Sequence, residues 1–362
     1  MEGRLDMYKR LGLIFQMNTI LADTPSPVST SARKNTTSSR THPAQSPPPL
    51  IMPSILFAGA TGNTGVGAVE TFCERDKSAR VLVLTRNAKG EVAQKLAKID
   101  QVEVIEKDWK MVDTAWLQEH EVEKIFIASA VTPTQFTDES LFLTCALEAG
   151  VKYVVRISTT TSNIAPNTKV FYPRAHWAIE TMLSTPEFDA MDYTSLQPNV
   201  YPMYIAMAGG AWLTEYKQTG KKMKLAQTFD ENAGVAAIDP YEIGIIAGRL
   251  LALDDHKPHA NKKYTLIGPS NVSGRDVVDL VEKVAGTTVD ETAFRDTSVT
   301  QVGWLPENLH ASLAKASIKG WEGECSVEQS PTSPEIMELY APKVHAKSEV
   351  EKYLRQAWDS AK

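Results

Sequence analysis

The chain has 362 residues, of which 43% are hydrophobic and 23% charged, and its formal net charge is −6. That length suits one large α/β domain with a smaller lobe, or two ordinary domains. An acidic balance leaves no basic excess to neutralise nucleic-acid phosphates or an anionic membrane surface, and no stretch approaches the roughly 20 apolar residues of a membrane span.

Residues 1–52 differ from the rest. From Thr24 to Pro49 the chain is mostly Ser, Thr, Pro, Ala and Asn, and the segment carries six Lys and Arg against three Asp and Glu. Such a composition buries too little apolar surface to offset chain entropy and is expected to be a disordered extension. Two readings stand: a mitochondrial-type targeting segment built on Arg4, Lys9 and Arg10, or a plain tail ahead of a start at Met52. Without a targeting segment, a cytoplasmic location is expected. Cys73, Cys145 and Cys325 lie far apart without metal-ligand spacing, which fits a reducing compartment. Cys73 and Cys145 fall in amphipathic helical stretches and read as small buried residues.

The strongest signal follows. Ser54–Ala58 is a short apolar run that predicts a buried parallel strand. It leads into Gly59-Ala60-Thr61-Gly62-Asn63-Thr64-Gly65 and then an apolar pattern at helical spacing. In a strand–loop–helix of this kind Gly59 turns the chain sharply, Gly62 lets a pyrophosphate approach the backbone, and Gly65 lets the helix pack tightly. The amides of Thr61, Asn63 and Thr64 then face the phosphates with the helix dipole behind them.

Strands are expected at Val81–Leu84, Val102–Ile105, Lys124–Ala128 and Tyr153–Ile157. Helices are expected at Glu91–Ile99, Asp113–His120 and Ser140–Ala149. The alternation predicts an α/β fold with a Rossmann doubly wound parallel sheet, spanning residues 53–200. Residues 201–362 are expected to form a smaller α+β substrate lobe with excursions back to the core. Lys221–Gln227 reads as a strand returning to the sheet. Tyr241–Leu253 reads as a helix in which Gly244 and Gly248 permit close packing. Tyr264–Ile267 is a strand, and Ser273 with Asp276 a helix cap. Pro334–Leu339 and Val350–Trp358 read as late helices. Met203, Tyr204, Met207, Trp212, Leu213 and Tyr216 form an aromatic-rich stretch that reads either as a substrate wall or as lobe core.

The second strand ends Leu84-Thr85-Arg86-Asn87, with no acid to hold a ribose 2′-hydroxyl. Arg86 offers a planar fork for a 2′-phosphate, with Thr85, Asn87 and Lys89 nearby, so NADP(H) is favoured over NAD(H).

The glycine loop, this strand end, Asp108, the His176-Trp177-Ala178-Ile179-Glu180 segment and Tyr193-Thr194-Ser195-Leu196-Gln197-Pro198-Asn199 together resemble the NmrA-like branch of the atypical short-chain dehydrogenase/reductase superfamily. The resemblance covers about Ser54 to Ala285, and the His176–Glu180 segment with the Gln-Pro-Asn strand end is similar to the branch's dye- and quinone-reducing members. It implies that Asp108 and Trp109 border the adenine and that Ala128, Ser129 and Ala130 pass near the riboses. It further implies that Ser158, Thr159 and Thr160 lie beside the nicotinamide and that Pro198, Asn199 and Val200 close over it. The superfamily's Tyr-x-x-x-Lys spacing reads here as Tyr172-Pro173-Arg174-Ala175-His176, with His in place of Lys. Tyr172, His176 and Thr159 are the catalytic candidates. His176 is expected at the ribose edge, and Glu180 one turn on to orient it, although a helix-entry tyrosine with a packed His–Glu pair is the plainer reading. The expected activity is NADP(H)-dependent hydride transfer to a small apolar, conjugated acceptor. The alternative is a non-catalytic redox-sensing regulator that acts through a protein partner.

Overall fold

The computed structural model describes residues 53–300 and 306–362; the expected extension, residues 1–52, lies outside them. Seven strands form one parallel sheet in the order β3-β2-β1-β4-β5-β6-β8. They are β1 Ser54–Ala58, β2 Arg80–Thr85, β3 Val102–Glu106, β4 Val122–Ile127, β5 Tyr153–Ile157, β6 Asp192–Pro198 and β8 Lys262–Leu266. The helices of this part are α1 Gly65–Arg75, α2 Glu91–Leu96, α3 Thr114–Glu119, α4 Gln135–Ala149, α5 Phe171–Leu183 and α7 Pro240–Leu251. Strand order reverses between β1 and β4, the place where such sheets bind ligands at their carboxyl ends.

The sheet is covered on both faces, so its strands read as continuous apolar runs. Within β1 the two-residue period divides the side chains. Ile55 and Phe57 join a core with Val69, Phe72 and Ile246 on the α1–α7 side. Leu56 and Ala58 join Leu117, Phe142 and Ile179 on the α3–α4–α5 side. Helices α1 and α7 pack at very short range. A Cβ on Gly248 would lie 2.6 Å from the Ala68 carbonyl oxygen, and one on Gly244 would lie 2.8 Å from the Ala68 nitrogen, so small residues at these positions let the backbones touch.

A third core holds α6 Pro202–Thr219, α8 Gly274–Ala285 and α12 Ala346–Ser360 together through Trp212, Leu213, Val277, Val281, Val350 and Leu354. The Ser273–Asp276 capping box is present at the start of α8. The return from this part to the main sheet is made by β8. The expected strand Lys221–Gln227 shrinks to β7 Leu225–Ala226, which pairs with β9 Thr292–Ala293 in a separate sheet. The reason is visible in the side chains: Lys221 and Lys224 are exposed, so only Leu225 and its neighbours gain from burial. After residue 306 the chain forms α9 Glu307–Leu313, α10 Ile318–Trp321 and α11 Pro334–Leu339 before reaching α12. No helix among the described residues is long and apolar enough to cross a membrane.

Candidate active site

The glycine loop lies at the carboxyl end of β1. Gly59 has φ +88°, and a Cβ there would lie 2.6 Å from the Ala128 carbonyl oxygen, so both its conformation and its surroundings require glycine. The Gly62 amide donates to the Gly59 carbonyl at 3.0 Å and closes the turn. A Cβ on Gly65 would collide with the Gly59 carbonyl and Ala60 backbone. Thr64 supplies no side-chain cap to α1, and the helix has no acid in its first turn, so its positive end is left for an external anion. Asn63 points across the cleft, with its Nδ2 3.8 Å from the Met203 sulfur on α6.

Arg86 is exposed just beyond β2 and makes no hydrogen bond or ion pair among the described residues. The loop around it is built by its neighbours. Thr85 Oγ1 accepts from the Asn87 amide at 3.2 Å, and Asn87 Oδ1 accepts from the Lys89 amide at 3.1 Å. Thr85 and Asn87 therefore shape the loop, while the guanidinium is the free group. An acid does stand close by: Glu106 is in register with Thr85. Its Oε2 accepts from the Ala88 amide at 2.8 Å, which commits it to the backbone. Asp108 caps the short turn Trp109–Met111 by accepting from the Lys110 amide, and Trp109 packs edge-on against Phe142 at 5.6 Å.

The catalytic candidates divide. Tyr172, at the start of α5, shares a hydrogen bond with the Thr159 side chain just beyond β5. Burial pushes its hydroxyl up to about 12, and the bond to Thr159 only partly opposes this. It therefore stays protonated at neutral pH. Ser158, next to Thr159, is 6% exposed and its Oγ has no partner. Tyr201 and Tyr204, stacked at 5.9 Å, begin the far wall, with Tyr204 exposed. Trp212 and Leu213 belong instead to the third core, so the aromatic stretch is wall at its start and core further on.

His176 is elsewhere engaged. It is 3% exposed, with Arg156 Nη2 2.8 Å from Nδ1 and the Gln135 amide 3.0 Å from Nε2. A guanidinium only donates, so Nδ1 is the acceptor and the proton sits on Nε2. That N–H faces the Gln135 side-chain amide, which also bonds Ser129 Oγ at 3.0 Å. Burial first, and then Arg156, hold the imidazole well below its ordinary pKa, so it is neutral. With both ring nitrogens occupied, the imidazole has none left for a ribose hydroxyl. Glu180 makes no hydrogen bond to it; it accepts from Ser195 at 2.7 Å and from Gln197 at 3.0 and 3.1 Å.

Arg156 is the centre of this network. It is fully buried in β5, with Nε 2.7 Å from Glu139 and Nη1 2.9 Å from Ser195. Glu139 also accepts from Ser129 at 2.6 Å, which secures the loop after β4. The strand period explains the assembly: Arg156, Ser195 and Gln197 alternate with apolar residues and face α4 and α5. Sequence reasoning passed over Arg156, although a charged residue inside the apolar strand Tyr153–Ile157 was itself a signal.

Asn199 is likewise spent within the protein. Its Nδ2 donates to the carbonyls of Ala236 and Cys325, both at 2.9 Å, and its Oδ1 accepts from the Val200 amide. It ties the end of β6 to the segment after residue 306. Ser312, on α9, accepts from the Phe171 amide at 2.8 Å and donates to the Lys169 carbonyl, and so caps α5 from a distant part of the chain. No local sequence pattern marks either contact, because both partners are remote.

The glycine cradle, the open helix end, the unpaired Arg86 and the orphaned Ser158 hydroxyl fit a phosphorylated dinucleotide laid across the switch point. This combination of fold and loop defines a Rossmann-type nucleotide-binding protein. Residues 53–354 match the model of the NmrA-like family, and the chain belongs to that family. It is 28% identical to an NAD(P)H azoreductase of Xenophilus azovorans over 194 residues, a stretch that covers 52% of this chain and 61% of the azoreductase. Among solved structures it resembles an NADPH-dependent quinone oxidoreductase of Escherichia coli complexed with NADPH. The TM-score is 0.61 and the identity 19%, over 82% of this chain and 99% of that one. The triphenylmethane reductase of Citrobacter sp. complexed with NADP(H) gives a TM-score of 0.61 and 19% identity, over 83% and 99%. At these identities the structural likeness concerns the fold.

Proposed function

We propose that the chain is an NADP(H)-dependent reductase that passes hydride to a small conjugated or aromatic acceptor. The observation that carries the reading is the Thr159–Tyr172 hydroxyl pair, set where β5 and α5 meet beyond the switch point, in a chain that also keeps the glycine cradle and a free Arg86. The names of the azoreductase, quinone and dye reductase relatives support the same class. Bound NADPH supplies the hydride. The residues of this chain hold and orient. The backbone around Gly62 and the start of α1 receive the pyrophosphate, Arg86 the 2′-phosphate, and Ser158 a polar edge of the nicotinamide half. Tyr172 donates a hydrogen bond to the acceptor atom that gains negative charge, and Thr159 fixes the direction of that hydroxyl. The overall change adds two electrons as hydride and one proton, drawn from Tyr172 or from water, to the acceptor.

Because His176 is neutral and held by Arg156, Tyr172 has no cationic neighbour to stabilise a tyrosinate. The site is thus suited to reduction and poorly suited to oxidising alcohols, which needs a base. The same observation favours the second reading, a dinucleotide-occupied regulator without turnover. Cys73, Cys145 and Cys325 are all unpaired, in keeping with a reducing, cytoplasmic setting. The deciding experiment is calorimetric binding of NADPH and NADH followed by NADPH oxidation with quinones, azo compounds and triarylmethane dyes. Oxidation of NADPH by an acceptor supports the reductase. Tight binding without turnover across the set favours the regulator, and absence of binding overturns both.

A further inference from the structure

A groove of about 340 Å³ opens beside the start of α5. Its walls are Pro133 and Phe136 from the β4–α4 connection and the start of α4, Phe171 from α5 and Leu309 from α9. Phe136 is 42% exposed, a large apolar surface left to water. Phe171 is the immediate neighbour of Tyr172, and the two rings meet edge to face at 5.8 Å. The Phe171 ring thus links the groove to the candidate proton donor, which does not itself line it.

The charge in this groove is one-sided. Arg174 lines it and no acid does. Nη1 of Arg174 donates to the Thr168 carbonyl at 3.0 Å, which holds the side chain in place while the rest of the guanidinium makes no hydrogen bond or ion pair among the described residues. Three other arginines of this acidic chain are neutralised, Arg80 by Glu103, Arg295 by Asp230 and Arg355 by Glu351, whereas Arg174, like Arg86, is not. A fixed, unpaired guanidinium at the edge of an aromatic groove selects a flat apolar body with one anionic group, since two oxygens of a carboxylate or a sulfonate match its fork. The volume is within the range of small-ligand sites.

We infer that this groove receives the anionic end of an aromatic acceptor, with a carboxylate or sulfonate on Arg174 and the ring system directed toward Tyr172. The ligand's role as acceptor rests on the reductase reading; its binding does not. The test has two arms. In the first, calorimetry measures naphthalene-1-sulfonate and uncharged 1-naphthol binding to the full chain and to the Arg174→Gln and Arg174→Lys variants. Arg174→Gln is expected to weaken the sulfonate about tenfold or more and the naphthol less than about twofold, with Arg174→Lys in between. Equal effects on the two ligands, or no sulfonate binding to the unaltered chain, overturn the inference. In the second arm, NADPH oxidation is followed with 1,4-naphthoquinone and its 2-sulfonate. The ratio of kcat/KM, sulfonate over neutral, is expected to fall about tenfold in Arg174→Gln, and an unchanged ratio overturns the inference. If neither quinone is reduced the reductase reading fails, while the binding arm still decides the groove.

Discussion

Replacing Arg156 with Met tests the central network most sharply, because it changes both stability and its pH dependence. The guanidinium is fully buried and bonds Glu139, Ser195 and His176. Its removal leaves Glu139, itself 1% exposed, as an uncompensated buried carboxylate. Breaking a buried pair from one side costs about 3–5 kcal/mol, a large share of the ~5–15 kcal/mol that stabilises a typical domain. The pH dependence supplies the distinguishing sign. In the unaltered chain His176 is held below its ordinary pKa. As pH falls through about 6.5 the unfolded chain takes up a proton that the folded chain refuses, so this group lowers stability by up to ~1.4 kcal/mol per pH unit. In Arg156→Met the larger cause, burial, remains and the smaller one, the Arg156 cation, is gone, so the imidazole pKa rises part of the way toward its ordinary value. The stability lost through that group below about pH 6.5 is then smaller in the variant than in the unaltered chain. Urea unfolding at about pH 5.5, 6.5 and 7.5 should show the variant's deficit narrowing as pH falls. A deficit that stays constant with pH, or one below about 1 kcal/mol at neutral pH, refutes the assigned tautomer and the role of Arg156.

Arg86→Ala should weaken NADPH binding by about ten- to a hundredfold, as expected for loss of a charge-assisted pair, and NADH binding by much less; equal losses by calorimetry would reject the 2′-phosphate assignment. Tyr172→Phe should lower kcat/KM for acceptors by about tenfold or more while leaving NADPH affinity within about twofold. With the hydroxyl pushed up to about 12, the pH profile of NADPH oxidation by the unaltered chain should show no tyrosine ionisation between about pH 6 and 9. Gly244→Ala places a methyl against the backbone of α1 and should cost about 1–3 kcal/mol by thermal or urea unfolding; if α1 receives the pyrophosphate as proposed, NADPH affinity should fall with it.

Which features could be read in the sequence follows from how local their causes are. The glycine loop and the alternation of strands and helices depend on neighbours within about ten residues, and the seven-stranded parallel sheet follows that reading closely. Gly244 and Gly248 were legible as packing residues because small side chains at helical spacing have few other uses. The family resemblance pointed to Tyr172 and Thr159 as candidates, and the fold places their side chains together. What escaped was set by contacts across long sequence distances. His176 looked like a substitute for lysine because position in a motif reports the backbone site and says nothing of Arg156 reaching it from β5. The strand forecast for Lys221–Gln227 followed its apolar residues and ignored that three lysines had no buried partner to meet. Asn199, read as a cofactor contact, is consumed by Ala236 and Cys325, the latter 126 residues away.

The exchange of Lys for His at position 176 has a consequence that reaches the chemistry. A lysine there would bring a cation to within one turn of Tyr172 and favour its ionised form; the neutral imidazole, locked by Arg156, cannot. The positive charge beneath the site is instead carried by Arg156 and met by Glu139 at 2.7 Å and Glu180 at 3.5 Å. Tyr172 is left with Thr159 as its hydrogen-bond partner, in surroundings that raise its pKa. A hydroxyl of that kind gives a hydrogen bond readily and a proton reluctantly. It can assist an acceptor whose conjugation already spreads the incoming charge, and it offers little to an isolated carbonyl, whose developing alkoxide needs full protonation. Matched aromatic quinones and simple ketones make the contrast measurable: reduction of the quinone with no detectable ketone reduction is the expected result, and comparable rates for both would mean that Tyr172 is activated by a group other than those that surround it here.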